Sequence, residues 1–325
     1  MQSIDSCASC DFPRTREVLL LGRKVRMKNY LCSLNGEAYR LKPEKIRLQL
    51  SILLTRYCNA RCPFCIAAPT TDPATLSPDC LDQALRLLKA EDCIRGISIT
   101  GGEPFCRPEL LDYTISRIFE IFGFGMEISL YTNGTGLSFL PGIRELRHVD
   151  TVHISRHHWE DRKNDAVFGR RMPSSVQLKE WLQAAPWPGL YVMNCLLLRD
   201  GVASPEDARR YMDWALDTGA SKVSFITGNP VNENMRRRQV LFEEALPPGD
   251  PHLLFTREYR DFSWCRCRDG VYVTPEGKLL EFYGRQTEPS GCDYCRGLVL
   301  EPDGRLTAGF GGEVLWQGGA SAVPC

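Results

Sequence analysis

The feature that most constrains the fold of this 325-residue chain is a repeated alternation of strand-like and helix-like segments between residues 46 and 228. Short apolar runs predict six strands, over Leu48–Thr55, Gly96–Thr100, Met126–Thr132, Thr151–Ser155, Tyr191–Leu198 and Lys222–Thr227. The segments between them predict four helices, over Cys80–Ala90, Pro108–Phe122, Val176–Ala184 and Pro205–Thr218. Repeated β-α units indicate an α/β fold with parallel strands and right-handed crossovers. Periodicity alone allows either a partial barrel or a doubly wound sheet.

A three-cysteine loop directly follows the first predicted strand. Cys58, Cys62 and Cys65 have the spacing C-x3-C-x2-C. Three thiolates suit an iron–sulfur site, because soft sulfur ligands bind iron well. They leave the fourth iron of a [4Fe–4S] cluster open for a ligand that is not protein. A zinc half-site or three buried thiols are the alternatives that this spacing leaves open.

Two further features make this loop similar to a known signature. Phe64 precedes the last cysteine, and Gly101-Gly102-Glu103-Pro104 follows the second predicted strand. Together with the cysteines, they resemble the radical S-adenosylmethionine (radical SAM) superfamily. The resemblance implies a partial (βα)6 TIM-like barrel and a [4Fe–4S] cluster whose open iron binds SAM. It also implies that one electron, from a donor such as a flavodoxin or ferredoxin, splits SAM into methionine and a 5′-deoxyadenosyl radical.

Polar residues at the carboxyl ends of the predicted strands are candidates to bind SAM, because barrel chemistry gathers at these ends. By family resemblance, Gly101, Gly102, Glu103 and Pro104 bind the SAM amino group. Further strand ends resemble those of the molybdopterin-precursor cyclase branch of the superfamily. This likeness implies SAM contacts by Thr132, Asn133, Ser155 and Asn194. The alternative is that these residues only satisfy local backbone groups.

The segment after Ser155 departs from the residues that are usual in the family. It reads Arg156-His157-His158, and we predict Arg156 and His157 as catalytic residues that face the substrate. An arginine suits a carboxylate or phosphate, and a histidine can exchange a proton near neutral pH. The alternative is a solvated loop.

The C-terminal part contains two cysteine pairs, each followed by a Pro-acid-Gly turn that is typical of a hairpin. The pairs are Cys265 with Cys267 and Cys292 with Cys295. Alone, four such thiolates indicate a structural zinc ribbon. Behind a radical SAM barrel, they resemble the SPASM or twitch auxiliary domains of the superfamily. That resemblance implies a second [4Fe–4S] cluster, with zinc as the alternative.

These motifs divide the chain into four predicted parts: an N-terminal extension (1–45), a barrel (46–228), a linker (229–255) and a small Cys-rich β-hairpin domain that binds an auxiliary metal (256–325). The 40 basic and 40 acidic residues cancel, so composition favours neither nucleic acid nor a membrane surface as a partner. No apolar run approaches the ~20 residues of a membrane span. Fifteen cysteines, an odd number, without a signal peptide favour a reducing cytoplasm and metal ligation.

The expected function is therefore that of a radical SAM enzyme that abstracts hydrogen from a substrate C–H bond. We expect a small polar metabolite, of nucleoside or sugar-acid type, in a specialised biosynthetic pathway. This expectation rests on the polar Arg/His segment and on the lack of an N-terminal module that resembles a leader-peptide-binding domain. A SPASM-like peptide maturase is the alternative enzyme. A zinc- or cluster-binding regulator that never cleaves SAM is the alternative from another class.

Overall fold

The computed structural model describes residues 15–28, 30–31, 39–40, 48–65, 74–184, 187, 189–227, 233–261, 265–286, 295 and 297–318. Two short antiparallel pairs come first in the chain. They are β1 (Thr15–Leu20) with β2 (Arg23–Lys28), and β3 (Tyr30–Leu31) with β4 (Tyr39–Arg40).

Six parallel strands in sequential order form the centre of the main sheet. They are β5 (Leu48–Leu53), β6 (Ile94–Thr100), β7 (Glu127–Thr132), β8 (Thr151–Ser155), β9 (Leu190–Leu197) and β10 (Lys222–Thr227). Each strand pairs with the next in parallel. The predicted α/β fold with parallel strands is confirmed, and the order is that of a partial barrel.

Seven α-helices lie in the described part of the chain, and they include the four that the sequence predicts. They are α1 (Pro78–Ala90), α2 (Pro108–Phe122), α3 (Asp161–Phe168), α4 (Ser175–Ala184), α5 (Pro205–Thr218), α6 (Glu233–Arg238) and α7 (Phe242–Ala245). Helix α5 starts at Ser204, whose hydroxyl accepts from Asp207 N, and ends at Gly219 with φ of +100°. Among the described residues, no helix has the length and apolarity needed to span a membrane.

The two faces of the central sheet differ in chemistry because strand side chains alternate. One face is apolar and packs against the helices, with Leu50, Ile99 and Ile154 fully buried in that core. The other face lines the interior of the partial barrel and carries small polar residues. Ser51, Ser98 and Ser129, for example, lie side by side in register on β5, β6 and β7. A polar interior at the strands' carboxyl ends suits a polar ligand.

The C-terminal strands extend this sheet at both edges. They are β11 (Leu253–Asp261), β12 (Cys265–Val273), β13 (Leu279–Gln286), β14 (Gly297–Leu300), β15 (Arg305–Thr307) and β16 (Val314–Gln317). Strand β13 pairs in parallel with β10, and β14 pairs in parallel with β5. The predicted hairpins β12–β13 and β14–β15 are present, but their strands join the barrel sheet. The predicted linker contains α6 and α7.

Candidate active site

The three-cysteine loop leaves the carboxyl end of β5. Cys58, Cys62 and Cys65 are half-buried free thiols, and Cys65 N donates to Cys62 O at 3.1 Å. Burial, together with the charges of Cys58 and Cys65, raises the pKa of Cys62 to about 12. The three sulfur atoms are therefore close enough to repel one another as thiolates. A cationic metal centre removes that repulsion and holds the thiols deprotonated, so the donor set fits an iron–sulfur cluster.

This loop is joined directly to the Gly-Gly-Glu-Pro segment. Gly102 N donates to Thr55 O at 2.7 Å, and Glu103 N donates to Tyr57 O at 3.0 Å. Only glycine fits here, because a Cβ on Gly102 would lie 2.0 Å from Tyr57 O and one on Gly101, at φ of +143°, would lie 2.7 Å from Thr55 O. The two motifs thus form one junction, although Cys58 and Gly101 are 43 residues apart in the sequence.

We predict that Gly102→Ala lowers the free energy of unfolding by roughly 2–3 kcal/mol, because the backbone must separate to admit the methyl group. The same shift displaces the cysteine loop, so the iron content after reconstitution should also fall. Urea denaturation and iron analysis measure the two effects. Gly142→Ala is the matched control, since a Cβ there meets no atom within 4 Å. Equal stability of the two variants would contradict the junction.

Glu103 sits beneath this junction and is 1% exposed. Its carboxylate accepts from Thr132 Oγ1 and Asn133 N, both at 2.7 Å, and from Phe105 N at 3.2 Å. Burial nevertheless raises its pKa to about 7, against the opposing effect of these hydrogen bonds. A nearby cation would favour the ionised form. The residue therefore suits a ligand that carries an ammonium group.

Side-chain hydrogen bonds connect the segment that follows β7 to the cysteine loop. Asn133 Nδ2 donates to Asn59 Oδ1 at 2.8 Å, and Asn59 Nδ2 donates to Thr135 Oγ1 at 2.8 Å. Asn133 Nδ2 also approaches Cys58 Sγ, at 3.9 Å. The structure thus brings Asn133 to the cysteine loop and Thr132 to Glu103, while their predicted contacts with SAM stay predictions. Asn59 was missed, although its amide lies between the first two cysteines of the motif.

A second group of polar residues faces the barrel interior on β8, β9 and β10. Ser155 pairs in register with Asn194, and Asn194 pairs with Ser224. Asn194 is 5% exposed, and its Oδ1 lies 3.3 Å from His153 Nδ1. The predicted SAM contacts Ser155 and Asn194 are therefore neighbours on the interior face. Ser224 extends their row and was not predicted, because a serine within an apolar strand carries no signal of its own.

Arg156 requires a correction, because it faces the helices and not the barrel interior. It is 1% exposed, and its guanidinium donates to His158 O at 2.9 Å, to Pro173 O at 2.8 Å, and to Asp161 and Ser175. All three guanidinium nitrogens are thus bonded to protein groups. We therefore revise its role from a substrate contact to a structural one, in which its hydrogen bonds connect the end of β8 to the start of α4.

His157 lies at the carboxyl end of β8 but is not poised to exchange a proton. Its ring is fully buried, stacked on Phe168 and in edge contact with Phe64, both at 4.9 Å between ring centroids. Burial, and then the charge of Arg156, lower its pKa to about 3. The imidazole is therefore neutral at physiological pH. We replace the predicted acid–base role by that of a neutral hydrogen-bond donor.

The C-terminal metal site stays a prediction. Cys292 and the side chains of Cys265 and Cys267 lie outside the described residues. Cys295 is 4% exposed, and its thiol lies 3.1 Å from Gly297 O. Its backbone precedes β14, beside the amino end of β5, whereas Cys267 lies level with the carboxyl end of β10. When a sheet curls into a barrel, its two edge strands approach each other, but the amino end of one strand does not approach the carboxyl end of another. This placement therefore does not favour a site that includes both Cys267 and Cys295.

Comparisons with known proteins agree with this geometry. The sequence model described as "Radical SAM superfamily" matches residues 52–238. A probable GTP 3′,8-cyclase of Sulfurisphaera tokodaii is 24% identical over 79% of this chain and 79% of its own length. A probable GTP 3′,8-cyclase of Thermoplasma volcanium is 31% identical, over 47% of this chain and 46% of its own. The chain thus spans about half the length of some of the curated relatives it matches.

Among solved structures, the fold is similar to that of Streptococcus suis SuiB bound to the precursor peptide SuiA. The TM-score is 0.53, with 15% sequence identity, over 81% of this chain and 60% of SuiB. At this identity the likeness concerns the fold alone. It extends beyond the residues matched by the family, which is consistent with the C-terminal strands being part of the main sheet.

Proposed function

This chain belongs to the radical SAM superfamily, and from that premise we propose that it cleaves SAM reductively and abstracts hydrogen from a small polar metabolite. The observation that best supports the proposal is the junction of the cysteine loop with Gly101-Gly102-Glu103. Two segments that are remote in sequence meet in one hydrogen-bonded network at the carboxyl ends of the strands. This is the position at which barrel enzymes gather their chemistry.

Each part of the site has a role in this proposal. When bound, a [4Fe–4S] cluster supplies the electron that splits SAM into methionine and a 5′-deoxyadenosyl radical. Cys58, Cys62 and Cys65 hold three of its irons and leave one for SAM. Glu103 and the glycine backbone orient the SAM ammonium group, which also favours the ionised form of the carboxylate.

The interior residues define the remaining contacts. We propose that Ser155 and Asn194 position SAM from β8 and β9, since both lie on the interior face at one level. The Phe64 ring packs with Leu196, Val167 and Met235 and excludes water from this side of the loop. Water exclusion protects a reactive radical from side reactions. An external one-electron donor, such as a flavodoxin or ferredoxin, is part of the same proposal.

The proposed substrate is of nucleoside or sugar-acid type. Two observations support it: the polar barrel interior, and relatives named for a cyclase that acts on GTP. An auxiliary cluster or zinc bound by Cys265, Cys267, Cys292 and Cys295 is kept as a proposal, although Cys267 and Cys295 lie at opposite strand ends of the sheet. Iron and zinc analysis of a Cys58/Cys62/Cys65→Ala triple variant tests that part, since any metal it retains belongs to the other cysteines.

The test of the substrate class is a panel assay. Reconstituted protein is incubated anaerobically with SAM, dithionite and either nucleosides and nucleotides, sugar acids, or short peptides. We expect a nucleoside or sugar acid to raise 5′-deoxyadenosine formation above the SAM-only rate and, when deuterated, to transfer deuterium to it. Stimulation by peptides alone would contradict the proposal of a metabolite substrate and would favour a peptide maturase. A fully reconstituted protein that forms no 5′-deoxyadenosine would favour a regulator.

A further inference from the structure

Two buried hydrogen-bond donors at the partial barrel lack a partner within the part of the chain that the structure describes. They are the hydroxyl of Ser224 on β10 and Nε2 of His157, just after β8. Ser224 is fully buried and His157 is 4% exposed. Buried polar atoms without partners are rare in folded proteins and carry a desolvation cost. Each such atom therefore requires an explanation, and an absent ligand is one.

Both donors lie towards the carboxyl ends of the strands that line the barrel. Ser224 pairs in register with Asn194, which pairs with Ser155, so its side chain emerges on the same face as theirs. His157 directly follows the end of β8, and its ring accepts from Leu196 N of β9 at 3.1 Å, so it lies at the carboxyl ends of the same strands. Its contact with Phe64, which packs against the buried cluster that contains Leu196, agrees with this placement. The two donors thus lie on either side of the β9 strand that carries Asn194.

The tautomer of His157 is fixed by the backbone. Leu196 N donates to His157 Nδ1 at 3.1 Å, so Nδ1 is an acceptor and the ring proton sits on Nε2. The unpartnered atom is therefore a donor. A neutral imidazole N–H and a serine hydroxyl both bind an oxygen acceptor without supplying positive charge.

Nearby charge on this face is already paired. Lys222, two residues before Ser224, lies 3.4 Å from Glu281 and over the ring of Tyr283 at 5.4 Å. Arg156 is bonded on the opposite face. The described residues beside the two donors thus favour an uncharged, oxygen-bearing group over a phosphate, which would bind more strongly to a free cation.

We propose that Ser224 and His157 form a donor pair that binds hydroxyl or carbonyl oxygens in an uncharged part of the substrate, such as a sugar ring. The proposal rests on the function proposed above, because it assigns that substrate to the interior beside Asn194. It makes Ser224 a specificity-determining residue for the substrate and not a contact of SAM.

Ser224→Ala tests the proposal in the ligand-free protein first. A hydroxyl without a partner costs stability, so its removal should leave the Tm unchanged or raise it by about 1–3 °C. The affinity for SAM, measured by equilibrium dialysis, should stay within about twofold of the wild type. For any nucleoside or sugar that stimulates the wild type, half-maximal stimulation should need about tenfold more compound, the value of one lost hydrogen bond.

Ser129→Ala is the matched control, because Ser129 is a buried interior serine whose hydroxyl accepts from Thr151 Oγ1 at 2.9 Å. It should lower the Tm and leave stimulation unchanged. A lower Tm for Ser224→Ala would overturn the proposal, because the hydroxyl would then have a structural partner. A tenfold loss of SAM affinity would overturn it by making Ser224 a SAM contact. Failure of the proposed function looks different, since the wild type would then form no 5′-deoxyadenosine.

Discussion

Replacing Cys58 by alanine should reduce 5′-deoxyadenosine formation by more than about a thousandfold. The variant loses one of three thiolates, and no further thiolate of the loop remains to bind that iron. The cluster then loses an iron or presents a different open site, so SAM is no longer held where the electron is delivered. Liquid chromatography of anaerobic reactions with SAM and dithionite measures the product. Cys62→Ala and Cys65→Ala should behave alike.

Cys80→Ala is the control for this prediction. Cys80 is also a half-buried free thiol, but it lies on α1 and contacts Gly304 O at 3.7 Å, away from the cysteine loop. It should retain the wild-type rate and iron content. A Cys58→Ala protein that forms 5′-deoxyadenosine at the wild-type rate would show that the radical chemistry does not depend on this loop.

Arg156→Ala should lower the free energy of unfolding by roughly 2–4 kcal/mol. The substitution leaves the carbonyls of His158 and Pro173 without their charged donor, and it opens a cavity against Trp214, whose ring lies 5.2 Å from the guanidinium. Arg156→Lys should recover only part of the lost stability, because the single ammonium group of lysine cannot make all the hydrogen bonds of the three guanidinium nitrogens. Urea denaturation measures both variants.

Arg162→Ala is the matched control, because Arg162 is exposed on α3 and should change stability by less than about 0.5 kcal/mol. Arg156→Ala protein that keeps full stability and SAM cleavage, yet no longer turns over its substrate, would contradict the structural role. That outcome would restore the substrate-facing role that the sequence predicted.

The central fold could be predicted because its signals are local. Thr151–Ser155, Lys222–Thr227, Pro108–Phe122 and Pro205–Thr218 have the predicted bounds, since apolar runs and caps such as Ser204 act within a few residues. The proximity of the cysteine loop to Glu103 could be predicted from the family resemblance, and because the carboxyl ends of neighbouring parallel strands lie close together. The attachment of the C-terminal strands to both edges of the sheet could not be predicted, because pairings such as Leu298 with Leu50 join remote residues.

The site differs from the prediction in the segment that follows Ser155. The alternation of strand side chains, continued by one residue from Ser155, places Arg156 on the helix side. The prediction treated Arg156 and His157 as one substrate-facing loop because residues that follow a barrel strand overhang the active site. Burial could not be inferred from composition, since it depends on Asp161 and Ser175 reaching the guanidinium from later segments.

The central claim is that the loop of Cys58, Cys62 and Cys65 holds a cluster that cleaves SAM. The most direct test is to measure 5′-deoxyadenosine and methionine from reconstituted protein incubated anaerobically with SAM and dithionite. Both products should form in equal amounts, only with reductant, and only when the three cysteines are intact. A protein that carries about four irons at this loop and binds SAM, yet forms neither product, would contradict the claim.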